Sequence, residues 1–115
     1  MLIKKNQARE KRNSNSCTIW EYNFPNKNLW FALGKIDWRF PEKWKNLNRE
    51  CDEIYYVLSW TWVLHYDNSA YELNEWDAFF LEKGKPYWLE AKNLSLVLST
   101  QPSFFPEQYV NVELK

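Results

Sequence analysis

The side chains of this chain that could do chemistry are concentrated in two segments. These are Cys51-Asp-Glu-Ile-Tyr-Tyr-Val-Leu-Ser-Trp60 and Trp76-Asp-Ala-Phe-Phe-Leu-Glu-Lys-Gly-Lys-Pro-Tyr-Trp88, with fifteen residues between them. In the first, Glu53 opens an alternating run in which one face carries Ile54, Tyr56 and Leu58 and the other Tyr55, Val57 and Ser59. A carboxyl drawn into an apolar wall loses hydration, its pKa rises, and near neutrality it can take up and release protons. Phenols beside it donate and accept hydrogen bonds. The one histidine, His65, lies in Val63-Leu64-His65-Tyr66. It reads as a strand residue with a satisfied hydrogen bond, with a role as proton acceptor the lesser reading. Cys17 and Cys51 read as free thiols rather than a disulfide in a chain expected to be cytoplasmic.

A length of 115 residues provides one core and one domain. Hydrophobic residues at 45% and charged residues at 26% are ordinary, but 19% aromatic with eight Trp and only two Gly is not. The formal charge is zero. Residues 1 to 16 hold Lys4, Lys5, Arg9, Lys11 and Arg12 against Glu10; taking these from the 15 basic and 15 acidic residues leaves 10 against 14, about −4 on the rest. A mildly acidic body argues against a nucleic-acid partner. Met1-Leu-Ile is interrupted by Lys4-Lys5, and no later apolar run has the length of a secretory signal or a bilayer span, so no membrane partner is expected.

The elements that must position these groups are short and extended. Residues 1 to 16 are polar and end in Asn-Ser-Asn-Ser, which reads as a mobile basic arm. From residue 17 to 115 the apolar period is two, as in an all-β sandwich or barrel. The expected strands are Thr18 to Tyr22, Leu29 to Ile36, Glu53 to Ser59, Val63 to Tyr66, Tyr71 to Leu73, Ala78 to Leu81, Tyr87 to Glu90, Leu94 to Thr100 and Tyr109 to Leu114. Turn signals separate them, among them Asp67-Asn-Ser, Glu82-Lys-Gly-Lys-Pro and Ala91-Lys-Asn. Apolar groups on both faces of the Glu53 strand imply cover on both sides, the outer one by a second copy of the chain.

The two segments resemble the paired motifs of small bacterial cupins, antiparallel jelly-roll β-barrels of the RmlC-like superfamily, over roughly residues 17 to 110. The resemblance places Asn46 and Asn48 where the first motif has its two histidines, Glu53 at its glutamate and Trp60 at its glycine. Trp76 falls at the opening glycine of the second motif, Glu82 at its proline, Gly84 at its second glycine and Tyr87 at its last histidine. Arg39-Phe-Pro-Glu-Lys, Pro86-Tyr-Trp-Leu-Glu90 and Pro102-Ser-Phe-Phe-Pro-Glu-Gln-Tyr109 also fit such proteins. Only Glu53 survives of a ligand set that needs about three imidazoles or carboxylates, so no metal or other cofactor is expected.

The pocket implied by the resemblance holds Asn48, Glu53 and Tyr87, with Tyr55 and Phe79 on the same inner wall by alternation. A carboxylate, an amide and a phenol suit a small polar, sugar-like molecule. Metal-free acid/base catalysis, such as sugar isomerisation or epimerisation, is the alternative. A regulatory module with an idle pocket, Glu53 being held by Arg39, Arg49 or Tyr55, is a third. The resemblance further implies a homodimer, through the outer sheet or by strand exchange near the N-terminus.

Trp38, Trp44, Trp60, Trp62 and Trp76, with Trp30 as a further candidate, stand where such proteins carry glycine. Glycine serves turns that need positive φ, where a β-carbon costs about 1 to 2 kcal/mol. We read these positions as UGA codons of a host that decodes UGA as glycine, with Trp20 and Trp88 as true tryptophans. The rival reading is an aromatic carbohydrate-binding platform.

Overall fold

The backbone follows the alternation read from the sequence. The computed structural model describes residues 1 to 113, and these are built almost wholly of strands. They are β1 (Arg9–Ser14), β2 (Cys17–Tyr22), β3 (Trp30–Phe40), β4 (Lys45–Asn48), β5 (Asp52–Ser59), β6 (Trp62–Tyr66), β7 (Ser69–Leu73), β8 (Ala78–Leu81), β9 (Tyr87–Gln101) and β10 (Tyr109–Val112). Single 3-10 turns at Lys5–Gln7 and Pro106–Gln108 complete the elements. Every strand pairing is antiparallel. The architecture is the expected all-β jelly-roll barrel. Leu114, the end of the last expected strand, lies outside the described residues.

The barrel closes around β9. Its first part, Tyr87 to Ala91, runs between β3 and β6; its second, Leu94 to Gln101, runs between β3 and β5. Between the two parts the register against β3 slips at Ile36/Trp38. There Asn93 adopts φ 57° and its N–H donates to Asp37 Oδ1 at 3.1 Å. Bulges of this kind bend a strand and let one sheet curl around a core. The Ala91-Lys-Asn signal is therefore a bend inside one 15-residue strand, where the sequence reading had two strands and a turn.

Inside the curl, Ala32, Val57, Leu64, Leu89, Leu94 and Leu96 have no exposed surface. Each large aliphatic side chain so buried contributes about 1.5 to 3 kcal/mol. Gly34 packs closely in the same core: a β-carbon there would sit 2.9 Å from Leu98 Cδ1, so the Leu98 side chain would have to shift. Two strands were not foreseen. In the segment expected to be an arm, β1 pairs with β2 from Arg9↔Glu21 to Ser14↔Cys17. Polar β4 pairs with β10 and, through Asn46↔Tyr87, with β9. Ladder hydrogen bonds need no apolar side chain, and a charged strand is well suited to a sheet edge. Among the described residues no helix is long and apolar enough to cross a membrane.

Candidate functional site

Four strands, β4, β5, β9 and β10, deliver polar side chains to one part of the barrel interior. From β5, Glu53, Tyr55 and Val57 point inward and are buried, while Ile54, Tyr56 and Leu58 point outward and are exposed. From β4, Asn46 and Asn48 are buried, and the register sets Asn46 opposite Tyr87 of β9 and Asn48 opposite Tyr109 of β10. The Glu82 to Pro86 turn closes over this corner through Gly84, whose φ of 81° suits a residue without a β-carbon and whose N–H donates to Asn48 O at 2.6 Å.

These side chains form two hydrogen-bonded chains. One begins at the backbone: the N–H groups of Glu50 and Cys51 both donate to Gln108 Oε1 at 3.1 Å. This turns the Gln108 amide nitrogen toward Asn48 Oδ1, 2.8 Å away, and so turns Asn48 Nδ2 toward Glu53 Oε1 at 3.0 Å. Glu53 thus receives one neutral donor, and among the described residues it enters no ion pair. Arg39 is occupied elsewhere, donating to the Pro41 and Trp44 carbonyls and lying over Trp88. Burial pushes the Glu53 carboxyl up from 4.5 to about 7, because the single Asn48 bond offsets only part of the lost hydration.

The second chain is phenolic. The Tyr55 and Tyr87 hydroxyls lie 2.7 Å apart, Tyr87 bonds in turn to the Tyr109 hydroxyl, and Asn46 Nδ2 donates to Tyr109 at 2.8 Å. Asn111 Nδ2 donates to Asn46 Oδ1 at 2.9 Å and holds that amide in place. Burial raises all three phenols well above their usual range, and the neighbouring Glu53 charge adds to the effect. They remain protonated at any physiological pH, able both to donate and to accept.

A cavity of about 30 Å³ separates this polar wall from the apolar one, bordered by Asn13, Glu53, Tyr55 and Tyr109 on one side and by Trp30, Phe40 and Phe104 on the other. It has room for about one water molecule. Outside it, sharing Asn13, Phe40 and Tyr109 with it, a hollow of about 370 Å³ opens to solvent past Lys43, Asn46 and Asn111. A larger hollow, about 430 Å³, lies beside Asp37, Trp60 and Asn93 and contains none of the polar cluster.

Of the residues singled out in the sequence, Asn48, Glu53, Tyr55 and Tyr87 come together. Phe79 does not join them. It is Tyr55's register partner, as alternation implies, but its ring packs on Tyr66 and Tyr71 with centroids 5.1 and 5.0 Å away. Asn48 is saturated by its two neighbours and positions Glu53. Sequence reasoning missed Gln108 and Tyr109, whose signal was an amide and a phenol side by side in the closing segment, and Asn13, which β1 brings to the cavity. His65 lies outside the cluster, within 3.1 Å of Glu90 Oε2 and stacked on Trp88 at 3.8 Å. Cys17 and Cys51 are both free and buried, and burial pushes the Cys17 thiol up to about 12.

The donors do not fit a transition metal. At the four positions where the family motif has ligands stand two amides engaged in hydrogen bonds, one carboxyl and a phenol that holds its proton. Among the described residues, no three His, Cys, Asp or Glu side chains come together.

No protein-family model matches the chain, and no curated protein matches it significantly in sequence. Solved structures do match in fold. Pac13, a nucleoside dehydratase, superposes with a TM-score of 0.84 at 13% identity, over 99% of this chain and 92% of that one. A variant of the Streptomyces protein with uridine gives 0.83 at 14% identity, over 95% and 88%. KdgF from Halomonas sp. gives 0.76 at 12% identity, over 93% and 96%. An RmlC-like cupin from Shewanella frigidimarina gives 0.72 at 13% identity, over 87% and 88%. The fold is that of the RmlC-like cupins.

Proposed function

We propose that this barrel binds a small, hydroxyl-rich molecule of sugar-like character without a metal, from the solvent hollow past Tyr109. The observation that carries the reading is a buried carboxyl with one amide donor and, among the described residues, no cation, set beside three phenols that keep their protons. An array of this kind offers what a polyol or a furanose ring needs: one strong acceptor for its hydroxyls, several groups that both donate and accept, and aromatic faces. A structural neighbour solved with uridine supports the ligand class.

Metal-independent acid/base catalysis on such a ligand, an isomerisation or epimerisation, is the second reading. It is favoured by one observation, the Glu53 carboxyl at about 7, where it can give and take a proton at working pH. We infer further that the protein acts in the cytoplasm as a homodimer through the outer face of β5 and β8. Ile54, Leu58 and Phe80 are 47%, 41% and 55% exposed there, a set of apolar side chains that a second copy would cover.

Native mass spectrometry with added D-ribose or uridine tests both readings. The expected result is a dimer that retains one ligand per chain, with retention falling at least tenfold in Glu53→Gln while the dimer persists. A monomer overturns the assembly reading. A protein that retains neither probe, both as it stands and as Trp62→Gly, or retains them equally in the Glu53→Gln variant, overturns the binding reading. Conversion of a bound probe by the parent protein, abolished in Glu53→Gln, would select the enzyme.

A further inference from the structure

Among the described residues, eight have positive φ. Four are of types that tolerate it: Asp67 and Asn68 in the two-residue turn between β6 and β7, Asn93 at the bulge, and Gly84. The other four are Trp38 (102°), Trp44 (63°), Trp60 (73°) and Trp76 (71°). A bulky residue at positive φ is an outlier wherever it occurs. Little packing compensates for it here, since these indoles are 65%, 40%, 62% and 77% exposed, with Lys43 Nζ lying 4.4 Å over the Trp44 ring. Each stands at a joint of the barrel: the β3 bulge, the approach to β4, the β5–β6 turn and the β7–β8 turn. The conformation asks for glycine at four separate places, in a chain with two glycines where average usage of about 7% would give roughly eight.

Trp62 carries a different mark. Its backbone is an ordinary strand and its side chain is 2% exposed, packed 5.8 Å from the Tyr55 ring. Its indole N–H is the one buried side-chain nitrogen or oxygen without a hydrogen-bond partner among the described residues. Buried indole N–H groups ordinarily find an acceptor. Trp30 shows neither mark: its N–H donates to Glu21 at 3.0 Å and its ring packs on Phe104.

We propose that residues 38, 44, 60, 62 and 76 are glycine in the protein as its own host makes it, encoded by UGA, and that the volume the Trp62 indole fills beside Tyr55 is the ligand chamber of the barrel. The first half stands on backbone geometry at 38, 44, 60 and 76 and on the unpartnered buried N–H at 62. The second rests on the binding reading above. It accounts for a polar wall of Glu53, Tyr55 and Tyr109 that faces a cavity large enough only for water while the Trp62 indole occupies the space on the Tyr55 ring. With glycine at 62 the space beside Tyr55 reaches ligand size, and the buried N–H without an acceptor disappears.

The genomic codons test the first half, with Trp20 and Trp88 as internal standards. UGA at all five positions with UGG at 20 and 88 is expected, and UGG at 38, 44, 60 or 76 overturns it. Independently, the W38G/W44G/W60G/W76G protein should melt several degrees above the parent, and an unchanged or lower Tm argues against glycine there. For the second half, W62G is added to that background. The expected result is a Tm within a few degrees of the four-glycine protein and D-ribose or uridine affinity at least tenfold tighter by calorimetry. A Tm lower by more than about 10 °C, as for a large-to-small truncation in a filled core, overturns the chamber. So does a stable five-glycine protein with no gain in affinity, and that result leaves the glycine assignment intact while counting against the binding reading.

Discussion

The carboxyl chain and the tyrosine chain share one wall of the barrel, yet the same burial does opposite things to them. Desolvation opposes the charged form of any acid. For Glu53 it moves the ionisation into the physiological window; for Tyr55, Tyr87 and Tyr109 it moves the ionisation out of reach. The donors differ as well. Glu53 depends on an amide relay anchored in the backbone of Glu50 and Cys51, whereas the phenols bond mainly to one another and meet the solvent hollow at Tyr109. One chain can change charge at constant geometry, and the other holds geometry at constant charge. A binding site that must accept hydroxyl groups and also exchange protons needs both.

The largest expected effect tests the titrating half of this contrast. The folded-state pKa of Glu53, about 7, lies above its unfolded value of 4.5. The folded state therefore holds the extra proton between these limits. Its stability is fully present below about pH 4.5 and is lost as pH rises through 7, by on the order of 3 kcal/mol. Glu53→Gln keeps an oxygen for Asn48 and removes the charge. Urea unfolding between pH 4.5 and 8 should show parent stability falling with pH and the variant nearly flat, the two equal at the acid end and the variant about 3 kcal/mol more stable at pH 8. A flat profile in the parent would mean that Glu53 is not held as the geometry implies, and the contrast between the chains would vanish.

Much of this wall was legible in the sequence. Alternation along β5 puts Glu53 on the face of Tyr55 and Val57, and the motif spacing brings Asn48 and Tyr87 to it. What was not legible depends on contacts across the fold. Gln108 matters because two backbone N–H groups nearly sixty residues earlier fix its amide, and no local pattern announces that. Phe79 shows the limit of alternation, which gave the right strand face but not where the ring goes once the barrel wall turns toward Tyr66 and Tyr71. The Arg9–Ser14 strand was read as an arm because it is polar, although an edge strand is held by its backbone. The tryptophans were the reverse case. Their unsuitability for turns was visible in the sequence, but only φ and exposure in the folded chain separate Trp38, Trp44, Trp60 and Trp76 from the buried Trp30 and Trp62.

The non-titrating half is tested by removing one hydroxyl at a time. Tyr87 is the middle member, 1% exposed and bonded to both other phenols. Tyr87→Phe takes the partner from the buried Tyr55 hydroxyl and leaves Tyr109 with Asn46, so a loss of about 1 to 3 kcal/mol is expected, equal at pH 5 and pH 8. A loss that grew with pH would mean that the phenols and Glu53 titrate as one unit. Tyr109→Phe should cost less, about 0.5 to 1.5 kcal/mol, because water from the adjoining hollow can serve the Tyr87 hydroxyl and Asn46 in its place. The more telling readout is the Glu53 midpoint, followed by the carboxyl carbon shift in NMR. Burial and the Asn48 hydrogen bond set it; Tyr109 makes no hydrogen bond to Glu53, and the ring that the Phe variant keeps still covers the shared cavity. The midpoint should stay near 7 in Tyr109→Phe. A drop of a unit or more would show water reaching Glu53 once the rim phenol is gone, making Tyr109 the gate between the solvent hollow and the carboxyl.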